Sequence, residues 1–259
     1  MSGKVLRMPR KVIVIAGTTG SGKTDLAIAV AKSVFERYGR ECEIIAADSR
    51  TVYRGMDIGT AKPSLDERGG VKHWGFDLVD PDEHFTAKDF CDYAKEKIEE
   101  IEERGNVALV VGGTGLYIDS LVYGYSFTDS AQKSCSDRVR LDEMYKIFAL
   151  KWERGALRER LFARVKKLFN DERLEEETVE LVERYGWDCK AMTADIYGTI
   201  WEMMRGEINR EEAMRKAEIR DWHLAKRQLT WFRRNGEIEW LEPSEAEGRI
   251  LEYIEKEVL

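Results

Sequence analysis

Short, continuously apolar runs alternate with longer amphipathic ones through the first half of the chain. Lys11–Ala16 (KVIVIA) is β-branched and apolar throughout, the pattern of a parallel strand buried on both faces. Thr24–Tyr38 places Leu26, Ala27, Val30, Ala31, Val34 and Phe35 at helical spacing, and Gly39 marks the stop. Glu43–Ala47 (EIIAA) predicts a second strand, ending at Asp48. Thr86 is placed to cap a helix whose apolar positions Phe90, Tyr93, Ala94, Ile98 and Ile101 recur at helical period, with Gly105 ending it. Val107–Val111 (VALVV) predicts a third strand that runs into Gly112-Gly113-Thr114-Gly115. This strand–helix–strand rhythm predicts an α/β fold with a parallel sheet covered by helices.

The pattern changes near Tyr123–Cys135, a polar stretch without period that reads as a connection. From Ser136 onward the chain reads as mostly helical and heavily charged, with a last short strand at Glu237–Leu241. The expected division is therefore an α/β core over residues 1–124 and a mostly helical part over 125–259 that packs back on it. No internal repeat is visible.

Composition narrows the function classes. With 259 residues, 43% hydrophobic and 10% aromatic, the chain has the material for a large core and is not disordered. The net charge of −7 argues against a protein that coats nucleic acid non-specifically, without excluding a local basic patch. No apolar run approaches a membrane span, and Val12–Ala16 is too short for a signal-peptide core. Cys42, Cys91, Cys135 and Cys189 are scattered, without metal-ligand spacing, and read as reduced thiols of a cytoplasmic protein. His73, His84 and His223 are equally dispersed. A monomer is the default expectation.

Gly17-Thr18-Thr19-Gly20-Ser21-Gly22-Lys23-Thr24 fits the phosphate-loop pattern GxxxxGK[ST], with a strand before it and a helix after it. Glycines let backbone N–H groups turn toward phosphate oxygens, and the helix N-terminus adds positive potential. Lys23 supplies a point charge, and the Thr24 hydroxyl is placed to ligate Mg²⁺. The implied fold is a P-loop NTPase-like doubly wound parallel sheet. The loop alone leaves the reaction open. A common ATPase carries an Asp at the end of a buried apolar strand; here that strand ends in Gly-Gly-Thr-Gly, and the acid at a strand end is Asp48, followed by Ser49 and Arg50.

These residues carry a resemblance. GTTGSGKT at Gly17–Thr24, ADSRTVYRGMDIGTAKPS at Ala47–Ser64, HWGFDLVDPDEHFTAKDF at His73–Phe90 and VGGTGLYIDSL at Val111–Leu121 resemble the tRNA dimethylallyltransferases, as do ALRERLFARVKKL at Ala156–Leu168 and AKRQLTWFRR at Ala225–Arg234. The family transfers a dimethylallyl group from dimethylallyl diphosphate to the N6 amine of an adenosine beside the tRNA anticodon, assisted by Mg²⁺. The resemblance implies that the phosphate loop holds the diphosphate and that Asp48 takes a proton from N6. It implies that Thr114 hydrogen-bonds the bridging oxygen of the donor. Ser49, Arg50 and Thr51 would line the acceptor side, with Lys226, Arg227 and Arg233 meeting tRNA phosphates. The target base must leave its stack to reach such a pocket.

Each assignment has a plainer rival. Asp48 has a rival reading as a helix cap or a Mg²⁺ organiser, Thr114 as a turn residue, and Lys226, Arg227, Arg233 and Arg234 as a solvated helix face. Trp222, Trp231 and Phe232 read as core, and His73 and His84 as structural. The sequence also departs from the family pattern. Thr51 stands where the family has Gln, Trp74 where it has a second His, and Gly198 where it has a basic residue. Asp221-Trp222 replaces the Thr-Arg before AKRQ, with Arg220 close by. Between Leu121 and Ala156 a longer family segment that grips the anticodon stem-loop is missing. An adenylate dimethylallyltransferase acting on AMP, ADP or ATP is therefore an alternative. A small-molecule kinase and a non-catalytic nucleotide- or RNA-binding paralogue also remain open.

Overall fold

The computed structural model describes residues 11–125, 141–192 and 196–259. The first half follows the pattern of its apolar runs. Strand β1 (Val12–Ala16) leads through the glycine-rich loop into helix α1 (Lys23–Tyr38), which Gly39 ends in the left-handed conformation, φ +64°. Within α1 the buried face is Ala27, Ile28, Val30, Ala31 and Val34, whereas Phe35 is exposed. Strand β2 (Cys42–Ala47) follows, then a long loop and the short strand β3 (Lys72–Trp74). Helix α2 (Ala87–Glu103) starts at a capping box in which Thr86 and Asp89 bond each other's backbone N–H. Strand β4 (Val107–Gly112) and helix α3 (Gly115–Val122) complete this half.

The second half is mostly helical, with one strand more than its pattern predicts. Tyr145–Leu150 (YKIFAL), within the stretch read as mostly helical, is strand β5. A short apolar run has the same signature in a buried strand and in a buried helix turn, and only the neighbouring strand decides. Helices α4 (Arg154–Phe169), α5 (Arg173–Tyr185), α6 (Ile196–Met204) and α7 (Arg210–Phe232) follow, then strand β6 (Glu239–Leu241) and helix α8 (Pro243–Glu257). Most of the connection expected at Tyr123–Cys135, including Cys135, lies outside the described residues.

Among the described residues the six strands are all parallel, in the order β3-β2-β4-β1-β5-β6. Helices cover both faces, as a doubly wound sheet requires. One apolar layer joins Val12, Val14, Ile45 and Val110 to α2 and α3. The other joins Ile13, Ile15, Ile44 and Leu109 to α1 and α8. A third cluster is built by α4 to α7 around Met56, Phe169 and Tyr197.

The register fixes where chemistry sits. Ala16 pairs with Gly112 and with Ala149, and Ala47 also pairs with Gly112. The carboxyl ends of β1, β2 and β4 are therefore level, and the phosphate loop, Asp48 and Gly113–Thr114 leave the sheet side by side. Ligands in open α/β sheets bind at this edge.

Candidate active site

The phosphate loop is shaped by its glycines. Gly20 and Gly22 have φ of +71° and +85°, which disfavour any other residue. Gly22 is also the N-cap of α1, with no side chain capping it. The first N–H groups of the helix thus remain available to an anion. Lys23 donates to the carbonyl of Thr18 at 3.2 Å. Burial holds the Lys23 ammonium below its usual pKa; Asp48 opposes that shift and Arg164 adds to it.

The loop is clamped from the second half of the chain. Trp152 Nε1 donates to Ser21 O at 2.9 Å, and Arg160 Nε donates to Gly20 O at 2.7 Å. The Arg160 guanidinium lies 4.4 Å from the Trp152 ring centroid. Gln228 on α7 accepts from Thr19 N at 2.8 Å through Oε1 and donates to Gly113 O at 3.0 Å through Nε2. One amide thus ties the phosphate loop to the end of β4. Arg160, Arg164 and Gln228 lie within or beside segments that carry the family resemblance, yet the sequence pattern does not single them out as site residues. The available signal is the four-residue spacing of the two arginines, which puts them on one helix face.

Asp48 lies in the cleft at the end of β2, and its Oδ1 accepts from Arg50 N at 2.8 Å. The residues after it form turns, so Asp48 caps no helix. Thr114 is the N-cap of α3, but its hydroxyl makes no cap bond. It accepts instead from Ser49 N at 2.9 Å and lies 3.3 Å from the Ser49 hydroxyl. The two strand ends are thereby joined through the residues expected to do chemistry. Thr51 is buried in the cleft wall, and its hydroxyl has no hydrogen-bond partner.

Asp48, Thr114, Lys23, Thr24, Arg50 and Arg227 all line one cleft of about 1190 Å³. Ten of its lining residues are basic and seven acidic, in a chain whose net charge is −7. Positive charge is therefore concentrated where an anion enters. Lys226 and Arg233 are exposed and lie outside the cleft lining; Lys226 sits 5.9 Å from the Trp222 ring centroid. Phe232 is buried core, and Trp231 packs against that core with its N–H on Asp119. His73 bonds the Val71 carbonyl through Nδ1 at 2.8 Å, and its ring forms part of the cleft wall. His84 is exposed. Arg220 bonds the Thr199 hydroxyl, and a side chain at Gly198 would begin 3.8 Å from its guanidinium. A positive charge thus stands beside the position where the family carries one.

Thr24 and Asp48 are hard oxygen donors in the same cleft. No cluster of three or more His, Cys, Asp or Glu side chains that would hold a metal occurs among the described residues. This donor set fits Mg²⁺, which takes one or two protein oxygens when phosphate oxygens complete its shell.

Comparison with known proteins agrees with this geometry. The IPP transferase family model matches residues 51–147 and 132–235. The tRNA dimethylallyltransferase 1 of Citrifermentans bemidjiense is 35% identical, with 94% of this chain and 96% of the relative covered. That alignment spans 299 positions against a chain of 259 residues, so at least 40 of them have no counterpart here. The solved tRNA isopentenylpyrophosphate transferase of Bacillus halodurans superposes with a TM-score of 0.80 at 28% identity, covering 95% of this chain and 96% of that one. The corresponding transferase of Staphylococcus epidermidis also gives 0.80, at 29% identity and 95% and 98% coverage. A parallel α/β sheet, a phosphate loop clamped to the end of β4 and matches over most of the length make one case: this chain belongs to the IPP transferase family.

Proposed function

We propose that the protein transfers a dimethylallyl group from dimethylallyl diphosphate to the N6 amine of an adenosine in tRNA, beside the anticodon. The observation that carries this reading is the convergence of three strand ends, which puts the phosphate loop, Asp48 and Thr114 in one cleft. An adenine amine is a weak nucleophile because its lone pair is delocalised into the ring. Asp48 takes the N6 proton as the N–C bond forms. The allylic C–O bond breaks, and its electron pair stays on the bridging oxygen of the departing diphosphate. Lys23 and the backbone N–H groups of the loop receive that charge, and the Thr114 hydroxyl would turn from Ser49 to donate to the bridging oxygen. Thr24 would hold Mg²⁺, which neutralises charge on the leaving group when bound. Ser49, Arg50 and Thr51 line the acceptor side. No covalent enzyme intermediate is needed. With tRNA as acceptor and Cys42, Cys91 and Cys189 as free thiols, we assign the enzyme to the cytoplasm.

The test offers labelled dimethylallyl diphosphate and Mg²⁺ with unmodified tRNA and, separately, with AMP. Label is expected in tRNA. Label in AMP alone would replace the acceptor with a free nucleotide, and label in neither would remove the transferase reading. Asp48→Ala is expected to lower transfer by about 10²-fold or more; near wild-type turnover would take the base role from Asp48.

A further inference from the structure

The segment between Asp48 and Ser64 carries Asp48, Ser49, Arg50 and Thr51, yet contains no helix and only a single bridge at Tyr53. Main-chain bonds from Leu78 N to Val52 O at 2.7 Å and from Arg54 N to Val79 O at 2.9 Å hold its first part, and two charged side chains hold the rest. Lys62 is 8% exposed and donates to Tyr53 O at 3.1 Å and to Asp77 Oδ1 at 2.7 Å, with Asp57 as a further partner. Glu177, from α5, is the second. Its Oε2 accepts from Asp57 N at 3.0 Å and Ile58 N at 2.7 Å, and its Oε1 accepts from Gly59 N at 2.9 Å. Tyr197 on α6 donates its hydroxyl to the same Oε1 at 2.6 Å.

Three successive backbone N–H groups converging on one carboxylate form an anion nest, occupied here by the chain's own side chain. Asp57, Ile58 and Gly59 line the cleft, whereas Glu177 does not. The peptide therefore faces the substrate volume while Glu177 holds it at another point. Gly59 is required by this arrangement, since a Cβ there would lie 2.5 Å from the fully buried Tyr197 ring. Helix α6 is tied in turn to α7 by Arg220 on Thr199. The sheet and its two apolar layers contain none of these residues.

We propose that Glu177 is a positioning residue for the transfer reaction: by filling the Asp57–Gly59 nest it fixes the loop that presents Asp48 and the acceptor-side residues. This rests on the transferase reading above. Glu177 touches no substrate and acts only through the loop. Glu177 bonds the Asp57–Gly59 loop and Tyr197 rather than the phosphate loop, so diphosphate binding is expected to persist without it.

The test uses Glu177→Gln, which keeps the shape but turns an N–H donor toward N–H donors, and Glu177→Ala, which empties the nest. In both, kcat is expected to fall by about tenfold to a hundredfold. The KM for dimethylallyl diphosphate and the binding of inorganic diphosphate should stay at wild-type values. Formate added to Glu177→Ala should restore part of kcat with saturation, because it returns a carboxylate to the nest; chloride at equal ionic strength should not. Hydrogen exchange should show the amides of Asp57, Ile58 and Gly59 losing protection while those of the phosphate loop keep theirs. Wild-type kcat in both variants overturns the proposal. So does a parallel loss of diphosphate binding, which would mark a general structural defect, or unchanged protection at Asp57–Gly59. A wild-type protein that transfers no label overturns the transferase reading instead, so the two failures are distinct.

Discussion

Lys23 shows how a single side chain combines binding and buried charge. Its folded-state pKa is lowered by burial, so in the empty site the ammonium is given up at a lower pH than an exposed lysine would require. Diphosphate, the proposed ligand, would bind the charged form. Affinity for inorganic diphosphate is therefore expected to fall as pH rises through a window that begins below the usual lysine range. Lys23→Arg keeps its charge there and should lose that alkaline limb in a binding titration; a limb that persists would assign it to another group. The glycines after β4 are explained at the same scale. A Cβ at Gly112 would lie 2.0 Å from the Ala47 carbonyl, one at Gly113 2.5 Å from the Gln228 amide, and one at Gly115 2.2 Å from the Trp231 ring. The run Gly-Gly-Thr-Gly reads in sequence as a turn, but its spacing reflects β2 on one side and α7 on the other.

Among the elements, strand β2 carries a polar anchor at its far end from the site. Glu43 is 1% exposed and accepts from Arg104, Asn106 and the Trp74 indole. Burial works to raise its pKa, but these donors outweigh it and hold the carboxyl below its usual value. A depressed carboxyl stabilises the fold above its unfolded pKa and loses that contribution as pH falls through the folded one. Glu43→Gln is expected to lower stability at neutral pH by roughly 1–3 kcal/mol. The gap to wild type should close as the solution is acidified, in thermal melts run as a pH series. A gap independent of pH would mean that shape rather than charge matters. The same anchor accounts for Trp74, which departs from the family pattern: its N–H bonds Glu43, and its ring lies 4.2 Å from the Lys72 ammonium. Strands β1 and β2 are legible as continuous apolar runs, and helices α1 and α2 from their period, although both strands pair with the distant β4. Strand β5 is not: YKIFAL carries Lys146 and fits a helix turn as well as a strand, and only its pairing with β1 and β6 decides. The clamp residues Arg160, Gln228 and Glu177 are hidden for the same reason: each is an ordinary helical residue until the tertiary fold supplies its partner.

Over the whole molecule, the basic residues of α7 divide into two groups. Arg227 and Arg220 line the cleft, whereas Lys226, and Arg233 at the helix end, lie outside it. If tRNA enters the cleft, Arg227→Ala is expected to depress transfer more than the paired Lys226→Ala and Arg233→Ala change. The paired variant should weaken tRNA binding uniformly and flatten its salt dependence by about one unit of slope for each phosphate that is no longer neutralised. Equal effects of the two variants on transfer would dissolve the distinction. The negative overall charge suits this division: it discourages indiscriminate RNA binding while the cleft remains locally attractive.

The Gln228 amide joins positions more than two hundred residues apart, and Ser33 on α1 donates to Glu247 on α8 at 2.8 Å across a similar span. During synthesis on the ribosome the side chain that pins the phosphate loop to β4 appears 209 residues after the loop residue it bonds. At that point the nascent chain still holds an incomplete sheet, whose β5 edge lacks β6 and whose apolar face lacks α8. Such long-range closure slows folding and leaves apolar surface open to chaperones and proteases. A chain released early would lack the amide that pins the phosphate loop to β4, so phosphate binding by such a fragment is expected to be weaker than by the whole chain.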